Sequence, residues 1–239
     1  GEARLCSLEQ FIAAKAALRP GGVFCQWLPL TQLTREHFEV IVATFQRAFG
    51  EVHLFRDNLH NRSLPIALVG FRAADLDWAT VARRCEFERT NGLLRDPLCR
   101  HPEGLAMLYL GTYTSAPGTT HWVNTLDNIQ VELDAGRQLL AGNPADYFAG
   151  TSDLWLGFVR AQLSKIESGQ ELPAALRSLP RVALSVSRWH AARDAGEANA
   201  SELEREWRSA LPACLSSDPA ADPSLWLGQA EVGRGIAPD

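Results

Sequence analysis

Leu18-Arg-Pro-Gly-Gly-Val-Phe-Cys-Gln-Trp-Leu-Pro-Leu30 is the stretch on which the fold turns. Pro20, Gly21 and Gly22 stop a helix, because glycine supplies the left-handed closing turn and proline cannot continue the hydrogen-bond ladder. Val23 to Leu28 is then a nearly all-apolar run bounded by breakers. That is the pattern of a central parallel strand covered on both faces. The residues after it open a loop at the carboxyl end of the strand, where open α/β sheets carry their ligands.

Upstream, Ser7-Leu-Glu-Gln10 is a capping box that starts a helix at Leu8, with Leu8, Phe11, Ile12 and Leu18 as its apolar stripe. Downstream, Thr34 caps a second helix in which Phe38, Ile41, Val42, Phe45 and Phe49 recur at helical spacing. Gly50 ends it. Val52 to Asp57 alternates as an edge strand does, and Leu64 to Phe71 is a second continuous apolar run. The polar loop Asn58 to Ser63 between them fits an antiparallel hairpin. The expected order is helix, strand, helix, strand, strand. Segments 23–28, 52–57 and 64–71 should form a three-stranded mixed sheet, with 64–71 central and antiparallel to the other two.

The remainder reads as mostly helical. Residues 75–115 mix helix and loop, with Asp77 capping a helix through Trp78, Val81 and Cys85. Thr112 to Thr120 is loop by its Gly, Pro, Ser and Thr content. Asp134 to Leu140 and Leu154 to Ile166 look helical, the second with Trp155, Phe158, Val159, Leu163 and Ile166 on one side. Ser201-Glu-Leu-Glu204 is another capping box, opening a helix to the neighbourhood of Cys214. The last residues should fray.

Composition bounds the function. The chain has 239 residues, 46% hydrophobic and 21% charged, which is enough for a proper core. A net charge of −5 argues against nucleic acid, whose binders show a basic face. No apolar run is long enough to span a bilayer, and Gly1-Glu-Ala-Arg lacks the order of a secretory signal. The five cysteines (Cys6, Cys25, Cys85, Cys99, Cys214) are odd in number and form no Cys-x-x-Cys pair. Free thiols in the cytoplasm are the simplest account, with Cys25 buried in its apolar strand. The sequons at Asn61 and Asn199 are then chance matches.

Spacing offers no metal motif among His37, His53, His60, His101, His121 and His190, and there is no Gly-x-Ser-x-Gly elbow. Neither a metal centre nor a hydrolase nucleophile is expected. Arg83, Arg84, Arg89, Arg95 and Arg100 alternate with Glu86, Glu88 and Asp96, as on a solvated face.

Two blocks carry a resemblance to a known family. The first is Leu5 to Leu30, where Leu-x-Ser-Leu-Glu-Gln-Phe leads into Leu-Arg-Pro-Gly-Gly-Val-Phe-Cys-Gln-Trp-Leu-Pro-Leu. The second is Asn124-Thr-Leu-Asp-Asn-Ile-Gln-Val-Glu-Leu133, close to an Asn-Thr-Asp-Asp-x-Pro-x-apolar-Glu-aromatic pattern. They resemble the spermidine synthase-like family of polyamine aminopropyltransferases, especially its bacterial members fused to membrane-spanning segments. Leu126, Asn128, Ile129 and Leu133 depart from the second pattern.

The resemblance implies the C-terminal half of a Rossmann-like, methyltransferase-type α/β domain over 1–133, and a helical region over 134–239. It also implies aminopropyl transfer from decarboxylated S-adenosylmethionine to a diamine. In that family the glycine-rich nucleoside loop, the acidic ribose ligand and the catalytic aspartate would all precede the equivalent of Gly1. The chain alone should therefore bind no cofactor and be inactive. Its expected partners are the missing half of the domain or a second copy, together with a small amine.

Gln26 matches the glutamine lining the family's amine pocket, where a neutral amide accepts from an ammonium without adding charge. The plainer alternative is a core glutamine bonded to local backbone. Asn124, Asp127 and Glu132 could hold a loop over the cleft, although Asx residues commonly bond their own turn, the reading preferred here. Trp27 reads as core and His60 as a solvated loop histidine. No tyrosine stands in the loop Asn58 to Ser63, where typical spermidine synthases carry one over the polyamine. The competing functions are a non-catalytic interaction module and an S-adenosylmethionine-dependent methyltransferase of other specificity.

Overall fold

The computed structural model describes residues 2–60, 65–92, 98–113, 122–129, 131, 152–169 and 171–216. The predicted helix Asp134 to Leu140, the segment after Tyr113, the sequon at Asn61, Arg95, Asp96, His121, Glu132 and the C-terminal end lie outside the described residues. The chain divides into two compact units. The first comprises Gly1–Asp57, Arg62–Leu76 and Leu110–Lys165; the second comprises Asn58–Asn61, Asp77–Tyr109 and Ile166–Asp239.

The first unit opens with a 3₁₀ turn (Glu2–Cys6) and helix α1 (Leu8–Ala17), whose cap is the expected one: Ser7 accepts from the Gln10 N–H at 3.3 Å. Gly21, at φ +75, turns the chain into β1 (Val23–Pro29). Arg72 fixes this turn by donating to the carbonyls of Ala16 and Leu18. Thr34 then caps α2 (Arg35–Phe49) through the His37 N–H, and Phe38, Ile41, Val42, Phe45 and Phe49 are all buried as the spacing predicts. Strands β2 (His53–Arg56) and β3 (Pro65–Phe71) follow.

β3 lies between β1 and β2 and is antiparallel to both, the pairing expected from its apolar run. Leu54 and Gln26 flank Leu68 from either side, and Phe24 lies opposite Gly70. Phe24, Phe11, Phe45 and Phe49 form an aromatic layer with centroids 4.6–6.2 Å apart, so α1 and α2 cover the same face of β1. Such edge and stacked geometries suit the ring quadrupoles.

Three sequence expectations about the sheet are corrected. The sheet has four strands, not three: β4 (Tyr109–Thr112) extends it beyond β2, in the order β1-β3-β2-β4. β2 is therefore interior rather than an edge, which explains why His53, Leu54 and Arg56 are all buried despite their alternating chemistry. β1 is an outer strand, antiparallel to its neighbour β3, and not a central parallel one, so the sheet is antiparallel rather than mixed. Its side chains Val23, Cys25 and Trp27 are exposed, Trp27 at 48%, because they alternate with Phe24 onto the face opposite the one that α1 and α2 cover. Trp27 is thus not core and Cys25 is not a buried thiol, although all five cysteines are free as expected.

The second unit is helical. Asp77 caps α3 (Trp78–Asn91) through the Ala79 and Thr80 N–H groups, as predicted. A 3₁₀ turn at Leu98–Arg100 leads to α4 (Pro102–Leu108). Helix α5 (Ser152–Ser168) begins within the first unit and is followed by α6 (Leu179–Ala195), α7 (Ala200–Ala210) and the short α8 (Ala213–Ser216). α6 packs against both α4 and α7. Its Trp189 meets the fully buried Trp207 of α7 at 5.3 Å between ring centroids. α7 starts at Ala200 with Asn199 as its cap position, so Ser201 is inside the helix and is not its cap.

Candidate functional site

The predicted site residues fall on the first unit, where the fold gives each a definite setting. Gln26 is half-buried on β1, on the face it shares with Phe24 and Leu28. Its Nε2 donates to the Trp27 carbonyl at 3.0 Å. Gln26 is the middle residue of β1, and the Leu30–Gln32 turn opens directly after Pro29.

Asn124 is fully buried and ties three elements together. Its carbonyl accepts from Leu8 N at 2.8 Å, which satisfies a donor in the first turn of α1. Its N–H donates to Thr44 Oγ1 on α2 at 2.9 Å, and its side-chain Nδ2 donates to the Cys6 carbonyl at 3.2 Å. Asp127 is exposed, within the reciprocal turn that Thr125 and Asn128 close through their backbones. Glu9 holds this turn by accepting from the Leu126 N–H. Gln26 bonds to its own strand, whereas Asn124 bonds to Cys6, Leu8 and Thr44.

Two constellations escaped the sequence reading. In the first unit, the buried His53 of β2 places Nε2 at 2.8 Å from Asp75 Oδ1 and Nδ1 at 3.4 Å from Thr112 Oγ1 of β4. Glu51 completes a cluster of possible ligand atoms there. Partial burial pushes the Asp75 carboxyl upward, but the Leu76 N–H and the His53 imidazole outweigh it and hold the group below its ordinary range. Arg56, on the same strand, is buried against the Trp155 ring at 5.6 Å, and burial lowers its guanidinium to about 9.

In the second unit, His101, Glu103 and Cys214 bring one ligand atom each to within 4.8 Å of the others, and all three are half-buried. Burial raises the Cys214 thiol, and the adjacent Glu103 carboxylate, which the thiol faces, raises it further. Cys85, which donates to the Cys99 carbonyl at 3.5 Å, also feels the Glu103 charge. His60 is half-buried rather than solvated: its Nε2 lies 3.6 Å from Asp194 and its ring 5.0 Å from buried His190. Strand pairing and helix packing assemble these groups from distant parts of the chain, so no short motif announces them. Only His101-Pro-Glu103 is local enough to be noticed as a pair.

Compared with protein-family models, with curated proteins and with solved structures, the chain has no match. Among the described residues no helix is long and apolar enough to cross a membrane.

Proposed function

We propose that the first unit is the amine-side half of a Rossmann-like, methyltransferase-type transferase of the spermidine synthase-like kind, moving an aminopropyl group from decarboxylated S-adenosylmethionine to a diamine. The observation that carries this reading is the relation of β1 and β2. Both are antiparallel to β3, so they run parallel to each other, and α2 is the crossover between them. Rossmann-like sheets are built from parallel strands joined by crossover helices and also take antiparallel strands; here the antiparallel β3 lies between the two parallel ones.

The exposure of β1 supports the same reading. Such sheets carry helices on both faces, yet α1 and α2 cover only the Phe24 face while Val23 and Trp27 stay exposed at 53% and 48%. The edge and face of β1 left uncovered among the described residues are where a donor-binding half of the domain packs in this proposal. Gln26, at the middle of β1, accepts from the substrate ammonium through Oε1, while its Nε2 keeps its bond to the Trp27 carbonyl. Asn124 acts one step back by anchoring α1 to α2. As the amine nitrogen bonds to the aminopropyl carbon the C–S bond breaks and the nucleoside leaves as a neutral thioether, while the amine proton goes to a carboxylate of the donor-binding half.

The test is an assay of two proteins with decarboxylated S-adenosylmethionine and putrescine. One is the chain Gly1–Asp239, and the other is the same chain extended upstream through its own coding region. Transfer by the extended protein alone is the expected result. Transfer by Gly1–Asp239 alone, or no transfer and no donor binding by the extended protein, overturns the proposal.

A further inference from the structure

We propose that His101, Glu103 and Cys214 form a zinc-binding site in the second unit, with imidazole, carboxylate and thiolate as three protein ligands and water in the fourth position. Their ligand atoms already lie within 4.8 Å of one another. Ligand atoms around a tetrahedral zinc stand about 3.3–3.8 Å apart, given metal–ligand bonds of 2.0–2.3 Å. Closing the site brings the ligand atoms together by about 1 Å. Each of the three residues is half-buried, so the cluster is reachable from solvent without being an array of free surface carboxylates.

The backbone holds two of the ligands in place. His101 is the cap position of α4 and Glu103 follows within its first turn. The next residue, Gly104, runs so close to the preceding turn that a Cβ there would lie 2.1 Å from the Leu98 carbonyl oxygen. The start of α4 is thereby fixed against Leu98–Arg100, and His101 and Glu103 with it. Cys214 comes from α8, whose Leu215 N–H bonds back to the Pro212 carbonyl at 3.0 Å.

The donor set selects the ion. Magnesium and calcium take oxygen ligands, whereas one nitrogen, one oxygen and one thiolate sulfur suit zinc. The Glu103 carboxylate faces the Cys214 thiol, and zinc takes the place of the thiol proton, which leaves to solvent. The Glu51, His53 and Asp75 group of the first unit is an internal comparison. It has no sulfur, both its carboxylates are exposed, and one of them is engaged by His53.

The experiment titrates the purified, reduced and chelator-stripped chain with Co²⁺, a spectroscopic substitute for zinc. One Co²⁺ per chain is expected, with tetrahedral d–d absorption and a thiolate-to-cobalt charge-transfer band, both abolished by stoichiometric Zn²⁺. Cys214→Ser should lose the charge-transfer band. His101→Ala and Glu103→Gln should each weaken binding by more than about 10-fold, since even outer-shell partners of metal ligands cost that much. These two variants decide the matter if circular dichroism shows Cys214→Ser to be unfolded. His53→Ala should change nothing. Absence of stoichiometric binding, a thiolate band that survives Cys214→Ser, or unchanged affinity in His101→Ala and Glu103→Gln would each overturn the site.

Discussion

Gly70 lies opposite Phe24 on β3, and a Cβ there would come within 2.7 Å of the Phe45 and Phe49 rings. The two stacked rings cannot both retreat, since Phe24 presses on them from β1. Gly70→Ala should therefore cost about 1–3 kcal/mol, the usual price of overpacking a filled core. Urea melts would measure it, and an unchanged midpoint would show that the aromatic layer has slack. Asp75 gives the residue scale a pH dependence. Its carboxyl titrates below the ordinary range, so it stabilises the fold above the unfolded carboxylate value and loses that contribution as pH falls through the lowered folded one. Asp75→Asn should flatten the stability profile below about pH 4. Urea melts at stepped pH would read this directly, and a variant that loses stability with acid as steeply as the parent contradicts it. Neither effect is legible in the sequence. Gly70 reads there as one more residue of an apolar run, and His53 and Asp75 meet only because a strand pairing brings them together.

At the scale of elements, the caps and the periodic helices were legible because both are local. Ser7, Thr34 and Asp77 each receive the backbone N–H groups that their positions predict. The order of β1, β3 and β2 was legible from hydrophobic continuity. The status of β1 was not, because an apolar run looks the same whether a strand is covered on two faces or waiting to be. β4 was missed because Leu105 to Leu110 is one apolar run shared between the end of α4 and the strand. Pro180 falls in the first turn of α6, where proline costs no hydrogen bond, so it does not interrupt the helix. A strand whose outer edge has no neighbour among the described residues, with Val23 and Trp27 exposed, is a template for another chain. The chain Gly1–Asp239 should self-associate as concentration rises, and Trp27→Lys should suppress this, since lysine guards natural edges. Light scattering over a dilution series distinguishes the cases. A parent chain that stays monomeric throughout, or a Trp27→Lys variant that associates equally, would mean that β1 is not the contact.

At the scale of the whole molecule, the two units carry different chemistry. The first offers the open sheet and Gln26; the second offers the His101, Glu103 and Cys214 cluster. The candidate site was only partly legible. Gln26 stood out as the one amide in an apolar strand, whereas Asn124 reads alike in sequence whether it meets a ligand or, as here, bonds Cys6, Leu8 and Thr44. The central claim is that the first unit supplies the amine side of a transferase site. Its most direct test is the pair of Michaelis constants of Gln26→Ala in the upstream-extended protein, for putrescine and for decarboxylated S-adenosylmethionine. Losing one hydrogen bond to a charged group costs about 1.5–3 kcal/mol, or roughly 10- to 100-fold. The account predicts a rise of that size in the constant for putrescine and none in the constant for the donor. An unchanged constant for putrescine, or a rise confined to the donor, would contradict it.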